Sequence, residues 1–204
     1  MEMIFATTNQ GKLKEIRAFL ADTGIEVISA IDAGINETVE ETGETFEENA
    51  ALKAESICKI AGKVVVAEDS GLEIDYFDKK PGVYSSRYMG EDTPYEIKNA
   101  KILDMMKGVP EEKRTARYVS VFAAAFPNGD TFTERGTWEG IIGYESKGEN
   151  GFGYDPIFFD VSKGKMAAEM ELDEKNEVSH RGKSLAKMRK LLIREINKRG
   201  KDVL

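Results

Sequence analysis

One cysteine and one histidine in 204 residues remove whole classes of chemistry at the outset. Cys58 alone forms neither an internal disulfide nor a multi-cysteine zinc site, and His180 alone excludes a two-histidine metal centre. Long apolar runs are missing too. No stretch approaches the ~20 residues a helix needs to span a bilayer. The opening Met1-Glu2-Met3-Ile4-Phe5 is too short and too acidic to read as a secretory signal. These absences point to a cytoplasmic protein without a membrane anchor. Excess positive charge is also lacking: 29 Lys and Arg against 37 Asp and Glu leave a net charge of −8. That balance argues against a protein that grips polymeric nucleic acid, and no aromatic-basic strand signature of an RNA-binding module is present.

What is present suits a folded enzyme or binding domain. Hydrophobic content of 41% and charged content of 32% are those of a globular chain, and the length allows one sizeable core. No repeat or linker interrupts it, so residues 1–204 read as a single domain. Charge is clustered, with six glutamates and no base from Glu37 to Glu48, and nine Lys or Arg with one Glu from Arg181 to Lys201. Most such runs are solvated helix faces.

Apolar spacing predicts strands at Met3–Ala6, Glu26–Ile28 and Lys63–Ala67, the last buried on both faces. Leu13, Ile16 and Leu20 share one face of a helix over 12–20. Thr45 and Glu48 form a capping box for a helix that buries Phe46, Ala50, Ala54, Ile57 and Ala61, with Cys58 beside that stripe. Thr93-Pro94-Tyr95-Glu96 reads as a second capping box, with Gly108 ending its helix. Strands over 118–126 and 131–142 flank the turn Pro127-Asn128-Gly129-Asp130, with Trp138 packed in the hairpin. Ser179 caps a last helix bearing Leu185, Met188, Leu192 and Ile196. Strands alternating with helices, then a hairpin, predict an α/β fold with a mixed sheet.

Four segments carry chemistry. Thr7-Thr8-Asn9-Gln10-Gly11-Lys12 joins the first strand to the first helix. Helix-start amides, hydroxyls and a lysine suit a phosphate chain there, although the segment is not a P-loop and an ordinary Asn-capped helix reads the same way. Glu40 and Glu41 precede the second helix, and Glu68-Asp69-Ser70-Gly71 follows the buried strand. Carboxylates at the end of a core strand need partners; a divalent cation shared with phosphate supplies one, and Asp69 then accepts a proton from water. The alternative is a turn capped by Asp69. Lys53 reads equally as a snorkelling lysine or a phosphate ligand. Gly148 to Pro156 brings glycines, Phe152, Tyr154 and Asp155 into one loop that can approach something planar, or simply turn tightly. Lys175 and Ser179-His180-Arg181-Gly182 precede the last helix, where a histidine-arginine pair can donate hydrogen bonds to a carbonyl on a base.

Taken in order, these blocks resemble the inosine triphosphate pyrophosphatase family, enzymes of noncanonical purine nucleotides. The matching segments are Thr7–Lys12, Glu40-Glu41-Thr42-Gly43 with Thr45-Phe46 and Asn49-Ala50, Asp69-Ser70-Gly71, Pro81 to Arg87, Gly151–Pro156 and Ser179–Gly182. The resemblance implies an elongated mixed sheet with flanking helices, two lobes around a substrate cleft, and a homodimer. It implies Mg²⁺-dependent hydrolysis of ITP, dITP and XTP to the monophosphate and pyrophosphate, which keeps them out of DNA and RNA. By the same resemblance Thr7, Thr8, Asn9, Gln10, Gly11, Lys12 and Lys53 hold the triphosphate. Glu40, Glu41 and Asp69 take the metal, with Asp69 as base and Ser70 nearby. Phe152, Gly153, Tyr154, Asp155, Lys175, His180 and Arg181 line the purine pocket. Glu68 stands where the family often has aspartate, Thr8 where glycine is common, and Asn150 where glycine is frequent. The alternatives are a pyrophosphatase of different base specificity or a non-hydrolytic nucleotide sensor. A poised carboxylate base disfavours the sensor.

Overall fold

A computed structural model describes residues 1–199; Lys201, the last base of the C-terminal run, lies outside them. The first strand, β1 (Glu2–Ala6), is followed by helix α1 (Gln10–Leu20) and strand β2 (Glu26–Ser29). Helix α2 (Phe46–Ala61) leads into β3 (Val65–Ile74), and α3 (Tyr95–Met105) into β4 (Thr115–Ala125) and β5 (Thr131–Ile142). Short strands β6 (Phe158–Asp160) and β7 (Lys165–Met166) precede helices α4 (Leu172–Val178) and α5 (His180–Arg199). The seven strands form one mixed sheet in the order β2-β1-β3-β4-β5-β6-β7, with helices flanking it. β1 runs parallel to both β2 and β3, while β6 is antiparallel to β5 and β7.

By contacts the chain forms two compact units. The first comprises Met1–Asp69, Ser120–Gly136 and the described residues from Lys183; the second comprises Ser70–Val119 and Thr137–Gly182. In the first, Met3 and Phe5 of β1 pack with Leu13, Ile16 and Leu20 of α1 and with Leu185, Met188 and Leu192 of α5. The helical positions are the stripes the sequence marks out, and each large side chain so buried contributes roughly 1.5–3 kcal/mol. In the second, Leu72, Ile102, Tyr118, Trp138, Ile157 and Phe158 share a core. Arg114 is buried beside it and donates to the carbonyl oxygens of Met106, Ile142 and Gly143 at 2.7, 2.7 and 2.5 Å.

Both ends of the Thr45 capping box are made, with the Glu48 amide 3.2 Å from Thr45 Oγ1 and the Thr45 amide 3.1 Å from Glu48 Oε2. Gly62 ends that helix at φ 62°. Three expectations are corrected. The predicted strand does not stop at Ala67: β3 continues through Glu68, Asp69, Ser70 and Gly71, because its two carboxylates find cationic partners without leaving the strand. Thr93 does not cap α3. The helix begins one residue later, at Tyr95, and the Thr93 hydroxyl donates back to the Met89 carbonyl at 2.8 Å to close the preceding turn. Ala61, in the last turn of α2, is only partly buried.

Candidate active site

Parallel pairing of β1 with β3 sets the first group of site residues. The register Ala6↔Ala67 brings the carboxyl end of β1, and hence the loop 7–12, level with Glu68 and Asp69. Carboxyl ends of parallel strands are where open α/β sheets bind ligands. Asn9 caps α1, its Oδ1 accepting from the amides of Gly11 at 2.9 Å and Lys12 at 3.1 Å, while Thr7 Oγ1 accepts from the Asn9 amide at 3.1 Å. Thr7 and Asn9 therefore shape the loop with their side chains. Thr8, Gln10 and Gly11 are exposed, and Lys12 reaches inward.

Successive strand residues point to opposite faces, and this separates the two carboxylates of β3. Glu68, 5% exposed, turns towards α1 and β4. Its Oε2 lies 3.0 Å from Lys12 Nζ, and its Oε1 accepts from the Ser120 hydroxyl at 3.0 Å, which in turn accepts from Ser184 of α5 at 3.0 Å. Asp69, 8% exposed, turns towards α2, its Oδ1 3.9 Å from Lys53 Nζ. Lys53 also donates to Glu41 Oε1 and to the Glu68 carbonyl, both at 2.8 Å. Glu41 reaches it from a loop seated on α2: the Gly43 amide donates to Asn49 Oδ1 at 2.8 Å and the Glu44 amide to Glu48 Oε2 at 2.7 Å. A Cβ on Gly43 would lie 2.7 Å from that same Asn49 oxygen, so the loop tolerates only glycine there. Glu40 is exposed on the same loop, and Ser70 is half-buried beside Asp69.

Among the described residues, no three Asp, Glu, His or Cys side chains gather into a complete metal cage. The donors nevertheless fit Mg²⁺. Glu41 and Asp69 already converge on one cation, the Lys53 ammonium, and Mg²⁺ commonly takes one or two carboxylates and fills its remaining positions with water and phosphate oxygen. Glu68 is committed elsewhere, to Lys12 and Ser120.

The second group lies in the other unit and centres on Asp155, which is 3% exposed. Its Oδ2 accepts from the Phe152 amide at 2.8 Å and from Lys175 Nζ at 2.5 Å. Tyr118 hydrogen-bonds the same carboxylate; burial, and then that neighbouring charge, push its phenol well above the usual range, so it stays protonated. Gly151 sits at φ 76°, and a Cβ there would stand 2.1 Å from Asp155 Oδ2. The loop so held presents Phe152 to solvent, 61% exposed, with Lys175 Nζ and Arg181 Cζ each 5.7 Å from its ring centre. Gly153 follows, its carbonyl accepting from Asn99 Nδ2 at 3.0 Å. Tyr154 points inward, its hydroxyl donating to the Ser85 carbonyl at 2.7 Å.

His180 is nearly buried at the first turn of α5, its ring stacked on Tyr118 at 4.7 Å and 11°. Ser179 Oγ accepts from the Gly182 amide at 3.1 Å, as the predicted cap requires. A Cβ on Gly182 would sit 1.9 Å from the Asn176 carbonyl oxygen, so α4 and α5 can meet this closely only at glycine. Ser120, Tyr118, Asn49 and Asn99 were not among the expected site residues. Ser120 had a readable signal, a hydroxyl in the otherwise apolar strand Val119-Ser120-Val121. Asn99 had none, since its partner lies 54 residues away. The shallow depression along α3, lined by Glu96, Ile97, Ala100, Lys101, Asp104 and Met105, holds none of the groups described above.

The sequence model of the Ham1 family matches residues 3–191. The chain belongs to the Ham1 family. Among curated relatives, the dITP/XTP pyrophosphatase of Exiguobacterium sp. (strain ATCC BAA-1283 / AT1b) is 50% identical, the match covering 95% of this chain and 97% of that one. The dITP/XTP pyrophosphatase of Bacillus subtilis (strain 168) is 48% identical over 94% and 96% of the two chains. Among solved structures, the Staphylococcus aureus Ham1 protein superposes with a TM-score of 0.89 at 37% identity, covering 96% of this chain and all of the other. A HAM1 protein from Coxiella burnetii gives 0.89 at 38% identity over 94% and 98%. Family and fold class are thus as the sequence blocks implied. No described helix of this Ham1 chain is long and apolar enough to cross a membrane.

Proposed function

We propose that the protein is a nucleoside triphosphate pyrophosphohydrolase that converts ITP, dITP and XTP to the monophosphate and pyrophosphate. The observation that carries this is the convergence of Glu41 and Asp69 on a single cation, level with the Asn9-capped start of α1. Kinship with enzymes named dITP/XTP pyrophosphatase supports the choice of base. Loop 7–12 and Lys12 bind the phosphates through helix-start amides and a positive charge. Glu41 and Asp69, with Glu40 close by in sequence, would hold Mg²⁺, which when bound supplies charge neutralisation on the triphosphate. Asp69 accepts a proton from water attacking the α-phosphorus; the bond to the bridging oxygen breaks and pyrophosphate leaves.

Phe152 offers its exposed face to the purine, with Lys175 and Arg181 beside it. Arg181 and the first amides of α5 donate to a 6-oxo group. Adenine would put an amino group against these donors and leave them unpaired, a penalty that discriminates strongly. Tyr154 and Asp155 act from behind the loop, holding its shape. The same reading includes a cytoplasmic homodimer.

Separate assays for pyrophosphate and phosphate on ITP, XTP, GTP and ATP, each with Mg²⁺ or with EDTA, test it. Pyrophosphate should appear from ITP and XTP far faster than from ATP or GTP, and only with the metal. Asp69→Asn should lower kcat by about a hundredfold or more while binding persists, as expected for loss of a general base. Equal turnover of ATP overturns the base assignment, and phosphate as first product overturns the cleavage position. Binding of ITP without turnover would instead identify a sensor.

A further inference from the structure

We propose that Lys53 is a built-in counter-cation: its ammonium holds Glu41 and Asp69 together in the metal-free protein, then yields that position to the divalent metal and turns to the substrate phosphates. The proposal rests on the metal-site reading above and adds a competition to it. Lys53 Nζ has three oxygens around it, Glu41 Oε1 and the Glu68 carbonyl at 2.8 Å and Asp69 Oδ1 at 3.9 Å. Carboxylate and carbonyl oxygens are the donors that hard divalent cations take, and here they surround an ammonium.

The side chains of Lys53, Glu41 and Asp69 are 16%, 28% and 10% exposed. Two carboxylates so far withdrawn from water repel each other strongly unless a cation stands between them. A lysine suits a post that must be vacated, because its compact charge rides on a flexible four-carbon stem. The ammonium gathers the Glu41 carboxylate, while the backbone of the Glu41 loop is anchored independently of it. The Gly43 and Glu44 amides are fixed by Asn49 and Glu48 of α2, so the loop keeps its seat when the ammonium leaves.

Metal and ammonium compete for the same oxygens, whereas phosphate attracts both. Metal alone must therefore bind weakly, and metal and polyphosphate must each strengthen binding of the other by the same factor. A lysine that served only the phosphates would leave metal binding untouched in their absence.

Titration of Mn²⁺ without nucleotide, followed by the electron paramagnetic resonance of the free ion, separates these cases. With the competing charge gone, Lys53→Met should bind Mn²⁺ about tenfold more tightly than the wild type, an order-of-magnitude Coulombic expectation. Lys53→Arg, which keeps a cation there, should stay close to wild type. Glu41→Gln and Asp69→Asn should both weaken binding. Added tripolyphosphate should tighten Mn²⁺ in the wild type and do so less in Lys53→Met. Unchanged or weaker Mn²⁺ binding in Lys53→Met, with Asp69→Asn still impaired, overturns the counter-cation and leaves the metal site standing. Mn²⁺ binding indifferent to both carboxylate changes overturns the site and the counter-cation together. Lys53→Gln carries the same comparison if Lys53→Met fails to fold.

Discussion

Asp155 shows how one buried carboxylate prepares a surface that never touches it. It holds the Phe152 amide, the Lys175 ammonium and the Tyr118 hydroxyl at once, and Gly151 leaves it room. Phe152 is thereby displayed with two cations at its ring without being packed itself. Asp155→Asn keeps the size but removes the charge that draws Lys175 in. KM for ITP should rise roughly tenfold, the worth of one charge-assisted hydrogen bond, while kcat changes little. Steady-state kinetics on ITP checks this, and a fall in kcat with constant KM would place Asp155 in the chemistry instead. Gly151→Ala should give the same KM effect through steric displacement, with an added stability loss of about 1–3 kcal/mol. The grouping of Lys175 and Arg181 with Phe152 was legible through the family resemblance, and the two cations do lie beside its ring. The inward roles of Tyr154 and Asp155 were not legible, because their partners Ser85 and Tyr118 are distant in sequence.

The polar chain Ser184–Ser120–Glu68–Lys12 ties α5, β4, β3 and α1 together at the level of secondary-structure elements. It explains why β3 runs on through an acidic stretch that reads in sequence as a turn. Inside the strand, a hydroxyl from the neighbouring strand and a lysine from the first helix meet the two oxygens of Glu68. Ser120→Ala removes that hydroxyl and should cost about 1–3 kcal/mol. Thermal denaturation should show Tm falling by roughly 2–12 °C. Ser120→Thr, which restores a hydroxyl, should recover part of the loss, and an unchanged Tm in Ser120→Ala would remove the hydroxyl from the support of Glu68. The elements with strong local signals, the Thr45 box, the Asn-Gly hairpin turn and the α5 stripe, were legible. The end of β3, the start of α3 and the existence of α4 were not, since each is decided by contacts made after the chain has folded.

Across the whole molecule, an excess of acidic groups is made tolerable by pairing, and acid should expose that dependence. Asp75 is the clearest case. The Arg117 guanidinium, its main cause, holds the Asp75 carboxyl far below its usual range against the opposing effect of burial, with Lys79 and Thr115 adding to it. Arg117 donates to Asp75 Oδ1 at 3.0 Å and Oδ2 at 2.9 Å. Asp160 is lowered as well: burial pushes it up, but the Ser162 hydroxyl, the Trp138 indole and the amides of Lys163 and Ser162 outweigh that. A carboxyl with a depressed folded value contributes its full stability above the unfolded value of about 3.9, and loses it as pH falls towards the folded one. Below about pH 4 the unfolded chain takes up these protons first, so stability must decline there. Asp75→Asn lacks the contribution at every pH. Its Tm should lie below wild type at neutral pH, fall less steeply between about pH 5 and pH 2, and converge with wild type in stronger acid. Parallel Tm curves, separated by the same interval throughout, would show that the loss comes from packing and that the Arg117 pair adds no pH-dependent stability.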